Sequence, residues 1–339
     1  MKSVERYLAL LFLPGVLWGR APRIGIIDFY GLRTILEARV RQALQLKEGD
    51  KLPPSKRAVE ARLETIPGVI SAHLEEVCCE AGKFILYVGI EEQGATQITF
   101  HPAPHGDAKL PKEIGQTAQA FGNALIRAVR KGDAQDDVSN GHSLMSNPEV
   151  RAQQERCLTY AERDLELLRN VLHNSADANQ RAIAAWVIGY APMKRLVVGD
   201  LESAVYDSDE GVRNNAMRAL GAIADLAARK PEQGIHVSPA PFVDLLSSPV
   251  WTDRNKATFV LGELTEGGDP APLAALRQRA LPALVEMARW KSPGHARAPF
   301  VLLGRVVGLS DRETEDAFER GDREAVIARA LRSGAGRRQ

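Results

Sequence analysis

A charge imbalance is what this chain lacks most plainly: 44 Lys plus Arg stand against 43 Asp plus Glu in 339 residues. No global basic field gathers nucleic acid, so DNA and RNA are not expected as the main ligand, although a local basic face is compatible with that balance. Beyond residue 18 the chain has no apolar run long enough for a membrane helix, which takes about 20 residues. Cysteine is scarce. Cys78, Cys79 and Cys157 show no zinc-site spacing, and three thiols cannot all pair within one chain. A Gly-x-Ser-x-Gly elbow is missing too, which removes one sequence mark of a serine nucleophile. The length leaves room for two domains, each with its own core.

What is present is a repeat. In residues 209–225, DEGVRNNAMRALGAIAD, the side chains Val212, Ala216, Leu220 and Ile223 follow at steps of four, four and three, one apolar stripe of a helix. Asp209 precedes the stripe as an N-cap or first-turn carboxylate, satisfying orphan backbone N–H groups. Aligned on the glycine of the stripe, the pattern recurs as RAIAAWVIGY (181–190), RNNAMRALGAI (213–223), RNKATFVLGEL (254–264) and ARAPFVLLGRV (296–306). Ala184, Ala216 and Ala257 each lie five before Gly189, Gly221 and Gly262, small residues where a neighbouring helix comes close. The last copy, with Pro299 in the alanine position and Ala296 in the arginine position, is a divergent end unit. Glycine spacings are 32, 41 and 42; the last two match the roughly 40 to 47 residues of a HEAT or armadillo unit, and the first is shorter. The partner helix of each pair is expected at 165–173, 195–207, 240–248 and 280–290.

On Asp209, Val212, Arg213, Ala216, Leu220 and Gly221, the stretch resembles the second helix of a HEAT repeat, of the short type found in bacterial HEAT-like proteins. The resemblance implies an α-solenoid that binds other macromolecules, with no chemistry built into the repeat. Arg213-Asn214-Asn215 and Arg254-Asn255-Lys256 hold equivalent first-turn positions, and Arg181 matches their arginines. Such residues form a ladder onto neighbouring carbonyls and carboxylates, or a partner-binding ridge, or both, because arginine makes several directed bonds. Tyr190, Tyr206, Trp251 and Trp290 are assigned to core or inter-repeat packing.

The start of the chain has the pattern of a targeting segment. Lys2 and Arg6 precede a short apolar run from Tyr7 to Trp18, and Gly19 to Ala21 supply small residues for cleavage. Pro14-Gly15 interrupts the run, so a cleaved secretory signal is the leading reading, with an uncleaved anchor or a buried helix as alternatives. The mature chain is then expected in the periplasm or outside the cell, where disulfides form. The cysteines are read as ordinary strand residues, with a Cys78-Cys79 bond or a link from the pair to Cys157 as alternatives.

Residues 22–98 follow a different pattern. RIGIIDFYG is a strand closed by Gly31; ILEARVRQALQL is an amphipathic helix; SKRAVEARLETI is a second, capped by Ser55. VISAHLEEVCCE and KFILYVGIEE are strands of a hairpin turned at Ala81-Gly82. With FYGL (29–32), KEGD (47–50), IPGV (66–69) and LYVGIEE (86–92), this strand-helix-helix-strand-strand order resembles the polypeptide-transport-associated (POTRA) domain of envelope assembly and secretion proteins. The resemblance implies a recognition module that offers a sheet edge or an adjacent helix groove to partner chains. No membrane barrel pattern follows.

Two places between the domains could hold chemistry. His101, His105 and Asp107 lie within seven residues, but Pro102 and Pro104 oppose the helix on which an H-x-x-x-H pair would share a face; no metal is expected. In the loop 132–148, Asp136, Asp137, His142 and Ser143 are the candidate loop site, with helix capping as the plainer role, since a Ser-His-Asp constellation is judged by geometry. The organisation expected is a signal peptide (1–21), a POTRA-like domain (22–98), a linker and helical connector (99–163), HEAT-like repeats (164–331) and a basic tail (332–339). The function expected is a non-catalytic, cofactor-free scaffold or adaptor for a protein partner in the cell envelope, with peripheral association with an envelope complex. The alternatives are a component of an outer-membrane assembly or secretion complex, and an enzyme using the His142 loop.

Overall fold

The computed structural model describes residues 22–80 and 82–335. The signal-peptide reading falls on residues 1–21, outside the described residues, and 336–339 of the basic tail lie outside them as well. The chain divides into two compact units, a central unit Thr99–Pro241 and a sheet unit made of residues 22–98 together with Phe242 onward.

In the sheet unit, β1 (Ile24–Tyr30), α1 (Glu37–Leu44), α2 (Lys56–Leu63), β2 (Val69–Glu80) and β3 (Lys83–Glu92) follow in the order read from the sequence. The sheet order is β1-β3-β2, with β1 parallel and β2 antiparallel to β3. Helix α1 stops at Gln45, in the left-handed region at φ 54°, and Arg62 of α2 donates to the terminal carbonyls of Ala43 and Leu44 at 2.6 Å. Ser55 caps α2 by accepting from the Ala58 N–H at 3.2 Å. One sheet face buries Ile27, Leu86, Val88 and Ile90 against Val40, Leu44, Val59 and Leu63 of these helices.

The opposite sheet face is covered as well, by the C-terminal helices of the same unit. The C-terminal helices of the unit are α9 (Ala240–Leu245), α10 (Trp251–Thr265), α11 (Pro270–Ala275), α12 (Leu281–Ala288), α13 (Pro293–Val306), α14 (Asp311–Glu319) and α15 (Arg323–Ala335), with a π-helical turn from Leu276 to Ala280; the residues that meet the sheet come from the start of α10, from the turn between α12 and α13 and from the first turn of α13. Tyr87 of β3 stacks on Trp251 at 5.1 Å between ring centroids and meets Trp290 at 5.0 Å. Burial on both faces explains why residues 85–90 are buried without alternation, the mark of a strand covered on two sides. Gly89 is the point of closest approach: a Cβ there would stand 1.9 Å from the Pro249 carbonyl oxygen.

The central unit comprises helices and a hairpin. Numbered in chain order, α3 is Lys112–Arg130, β4 Asp136–Asp137, β5 Leu144–Met145, α4 Pro148–Arg163, α5 Leu165–Asn174, α6 Ala178–Ile188, α7 Val198–Ala204 and α8 Glu210–Arg229. Helices α4 and α5 are separated at Asp164, whose φ and ψ of −114° and 22° leave the helical region; the Arg163 guanidinium grips the Asp164 carboxylate at the break. Asp209 caps α8, accepting from the Val212 N–H at 3.0 Å, and the stripe Val212, Ala216, Leu220 and Ile223 is fully buried.

Both units carry the helix-pair repeat of an α-solenoid. The second helices read from sequence are α6, α8, α10 and α13; α6 packs on α8, and α10 on α13. The recurring glycines are unequal. At Gly189 a Cβ would come within 2.7 Å of Ala219, and at Gly304 within 2.1 Å of the Thr314 hydroxyl, whereas at Gly262 it would meet nothing within 4 Å. Tyr190, Trp251 and Trp290 are buried in packing roles. Cys78 is disulfide-bonded and Cys157 is a buried free thiol, so the link between the pair and Cys157 is not formed. Burial pushes the Cys157 thiol well above its ordinary pKa. Among the described residues no helix is long and apolar enough to cross a membrane.

Candidate functional site

The charged residues of the candidate ridge are internal within each unit. Arg181, Arg213, Arg254 and Lys256 are buried, and the three arginines repeat one contact, each donating to the carbonyl six residues upstream: Ser175 at 2.9 Å, Asp207 at 2.9 Å and Ser248 at 2.6 Å. That carbonyl precedes the second helix, so the arginine ties the turn to the helix it introduces. Arg181 also forks onto the Asp207 carboxylate with two bonds of 2.8 Å, and Arg254 reaches Glu286 at 2.7 Å. Arg213 lies over the Phe100 ring. Of the candidate ridge, only Asn214, Asn215 and Asn255 keep part of their surface in solvent. Asn215 donates to the Ala182 carbonyl at 2.8 Å.

The sheet edges are occupied. On β2, the carboxylate of Glu60 accepts from the Leu74 N–H at 2.9 Å, and that of Glu64 from the Ala72 N–H at 3.5 Å. On β1, Ile24 exchanges bonds with Asp50 and Gly49, Lys291 Nζ donates to the Ile27 carbonyl at 2.5 Å, and the Gly31 N–H donates to Glu286 at 2.7 Å. Charged side chains on edge groups oppose pairing with another chain. Strand addition would have to displace them.

Beside β1 lies a cleft of about 520 Å³, a volume within the roughly 300 to 1,000 Å³ of ligand sites. Phe29, Leu32, Ile98, Pro282 and Trp290 supply its apolar lining. The loop after β1 is held rigid by Glu92, whose carboxylate accepts from the N–H groups of Arg33, Thr34 and Ile35 at 2.8 to 3.1 Å and from the Thr34 hydroxyl at 2.6 Å. Burial alone would raise the Glu92 pKa, but these donors hold it below the usual value. At the other wall, Asp28 takes the backbone N–H of Lys291 at 2.9 Å. Burial raises the Asp28 carboxyl above its ordinary pKa.

The loop site in the central unit is not a Ser-His-Asp triad. The Ser143 hydroxyl lies 2.7 Å from both Asp136 carboxylate oxygens and accepts from Gln154 Nε2 at 2.8 Å. His142 instead turns its Nδ1 to Lys194 Nζ, 3.2 Å away, and Lys194 donates to the Gly189 carbonyl at 2.7 Å. Burial lowers Lys194 to about 7; burial and the Lys194 charge lower His142 to about 4. Asp136 lies at the surface, yet enough protein surrounds its carboxyl for desolvation to raise the pKa. Asp137 is exposed and accepts from the Ser139 N–H at 2.8 Å. The cluster thus holds an amine close to its charge transition beside a neutral imidazole. His101 is exposed with its ring 6.0 Å from that of Tyr206, and its backbone N–H donates to the Tyr206 carbonyl at 2.7 Å; His105 and Asp107 are exposed as well. Among the described residues no three His, Cys, Asp or Glu side chains gather as a metal site.

Sequence reasoning missed Lys194 and Gln154, because they reach the loop from other helices, and it missed the cleft altogether. Its one available signal was the unbroken apolar run FILYVGI in β3, which calls for a second layer on the sheet.

No protein-family model matches the chain, and no curated protein matches it. Solved structures similar to it in part include a designed armadillo repeat protein in complex with the peptide (KR)4, at 16% identity and a TM-score of 0.37, covering 66% of this chain and 100% of that one. Another is a computationally designed armadillo repeat protein for modular peptide recognition, at 18% identity and a TM-score of 0.37, covering 64% of this chain and 97% of that one.

Proposed function

We propose that this chain is a non-catalytic protein-binding scaffold of the cell envelope, and that it docks a peptide segment of its partner in the cleft beside β1. The observation that carries the reading is the cleft itself: about 520 Å³, with apolar walls, a loop fixed by Glu92 and charged side chains at its rim. Preorganised walls cut the ordering cost that a binding site must otherwise meet. Because edge groups of β1 and β2 are capped by side chains, recognition by side chains in the cleft is favoured over strand addition. Export is supported by the character of residues 1–21 and the POTRA-like reading by the β-α-α-β-β order; membership of an outer-membrane assembly or secretion complex is the finer alternative.

The test is selection of peptides from a displayed library on the full chain, with counter-selection on Thr96→Trp. Thr96 is exposed and lines the cleft, so the indole fills the site at little cost to folding. Peptides whose binding is lost in T96W support the reading; peptides insensitive to it place recognition elsewhere. An enzyme at the His142 loop is the second reading, favoured by the Lys194 amine near pH 7 beside His142, a combination suited to nucleophilic amine chemistry.

A further inference from the structure

We propose that the occupant of the cleft is an acidic peptide segment, an inference that rests on the docking reading above and adds the charge of the partner. Arg33, Arg279, Arg289 and Lys291 line the cleft with their side chains largely in solvent: Arg279 and Arg289 keep 49% exposure and Lys291 48%. The carboxylates that pair with the last three from outside the lining are Asp244, which is half-buried, and Glu324 and Glu48, which are exposed. Solvent screens pairs of this kind and they contribute little to stability, so a partner's carboxylates can replace them at small cost. Arg33 is exposed and has no ion pair among the described residues. Guanidinium groups take carboxylates through two parallel bonds, which adds direction to the attraction.

The carboxylates of the lining are already committed. Glu286 holds the Gly31 N–H and Arg254, Asp28 holds the Lys291 N–H and lies 3.9 Å from the Lys291 ammonium, Glu91 accepts from Ser71 at 2.7 Å and Glu37 pairs with Arg41. An incoming chain therefore meets cations at the rim and apolar side chains between them. A peptide can match both, with Asp or Glu at the rim and apolar residues inside.

The experiment uses the full chain and three labelled peptides that alternate leucine with glutamate, glutamine or lysine, followed by fluorescence anisotropy. The glutamate peptide is expected to bind, to weaken at least about tenfold in R33E/R279E, as charge reversals at a rim do, and to lose binding in T96W. Circular dichroism and thermal melting establish that each variant is folded. Equal or tighter binding of the glutamine or lysine peptide, still abolished by T96W, overturns the acidic preference and leaves docking in the cleft standing. Glutamate-peptide binding unchanged in R33E/R279E overturns the assignment of the rim. Failure of all three peptides to respond to T96W overturns both the inference and the docking reading.

Discussion

The Tyr87 hydroxyl lies 2.7 Å from Nδ1 of His295, joining the middle strand of the sheet to the first turn of α13. Burial raises the Tyr87 hydroxyl pKa and lowers His295 to about 4. The phenol therefore keeps its proton and donates it to a neutral imidazole.

This bond sets a pH dependence. The folded pKa of His295 lies below its unfolded value of about 6.5, so the unfolded state binds the extra proton. Stability is then lost as pH falls from about 6.5 to 4, by an amount on the order of 3 kcal/mol. His142, also lowered to about 4, acts in the same window, so the comparison is with His295→Gln. Urea titrations of wild type and H295Q at pH 7 and pH 4.5 are expected to show a smaller loss in the variant.

Lys194 predicts the opposite flank. Its folded pKa of about 7 lies below the unfolded value of about 10.4, so stability rises with pH across the interval from about 7 to 10. In Lys194→Met this rise is expected to flatten, as measured by denaturation at pH 7, 8.5 and 9.5.

Two glycines in the same unit should respond with opposite signs. Gly89→Ala drives a Cβ to within 1.9 Å of the Pro249 carbonyl oxygen and 2.6 Å of the Tyr30 hydroxyl, and should cost about 1 to 3 kcal/mol. Gly262→Ala, with nothing within 4 Å and a helical backbone, should gain about 0.5 to 1 kcal/mol. Melting curves of the two variants check the pair.

The pairing of Arg181 with Asp207 is testable by a cycle. Arg181→Met leaves the buried Asp207 carboxylate without its two 2.8 Å donors, and removal of one partner of a buried pair costs about 3 to 5 kcal/mol. Adding Asp207→Asn to R181M should recover part of that loss, which gives a coupling energy above about 1 kcal/mol. Simple additivity of the two substitutions would contradict the pairing.

How much of this was legible follows from where each signal lies. The helices of the repeat were, because Ala184, Ala216 and Ala257 recur at fixed distance from their glycines within single helices. The strand-helix-helix-strand-strand order was, because Gly31, Ser55 and Pro67-Gly68 punctuate it locally. The packing of Tyr30 and Tyr87 against Trp251, Trp290 and His295 was not, since those partners are more than 160 residues away and no local pattern encodes them. For the same reason the arginines could be recognised as equivalent but not placed: Arg254 is buried partly by Tyr30, whose ring centroid lies 4.5 Å from its guanidinium. His142 and Ser143 are neighbours in sequence, yet their partners Lys194 and Asp136 separate them.

Docking in the cleft is tested most directly by hydrogen exchange of the full chain, with and without a peptide chosen by its binding. The account predicts slowed exchange in residues 27–37, 95–98 and 279–291, with residues 136–145 and 190–196 unchanged. Protection centred on 136–145 and 190–196, with the cleft segments unaffected, would contradict it and move the site to His142 and Lys194.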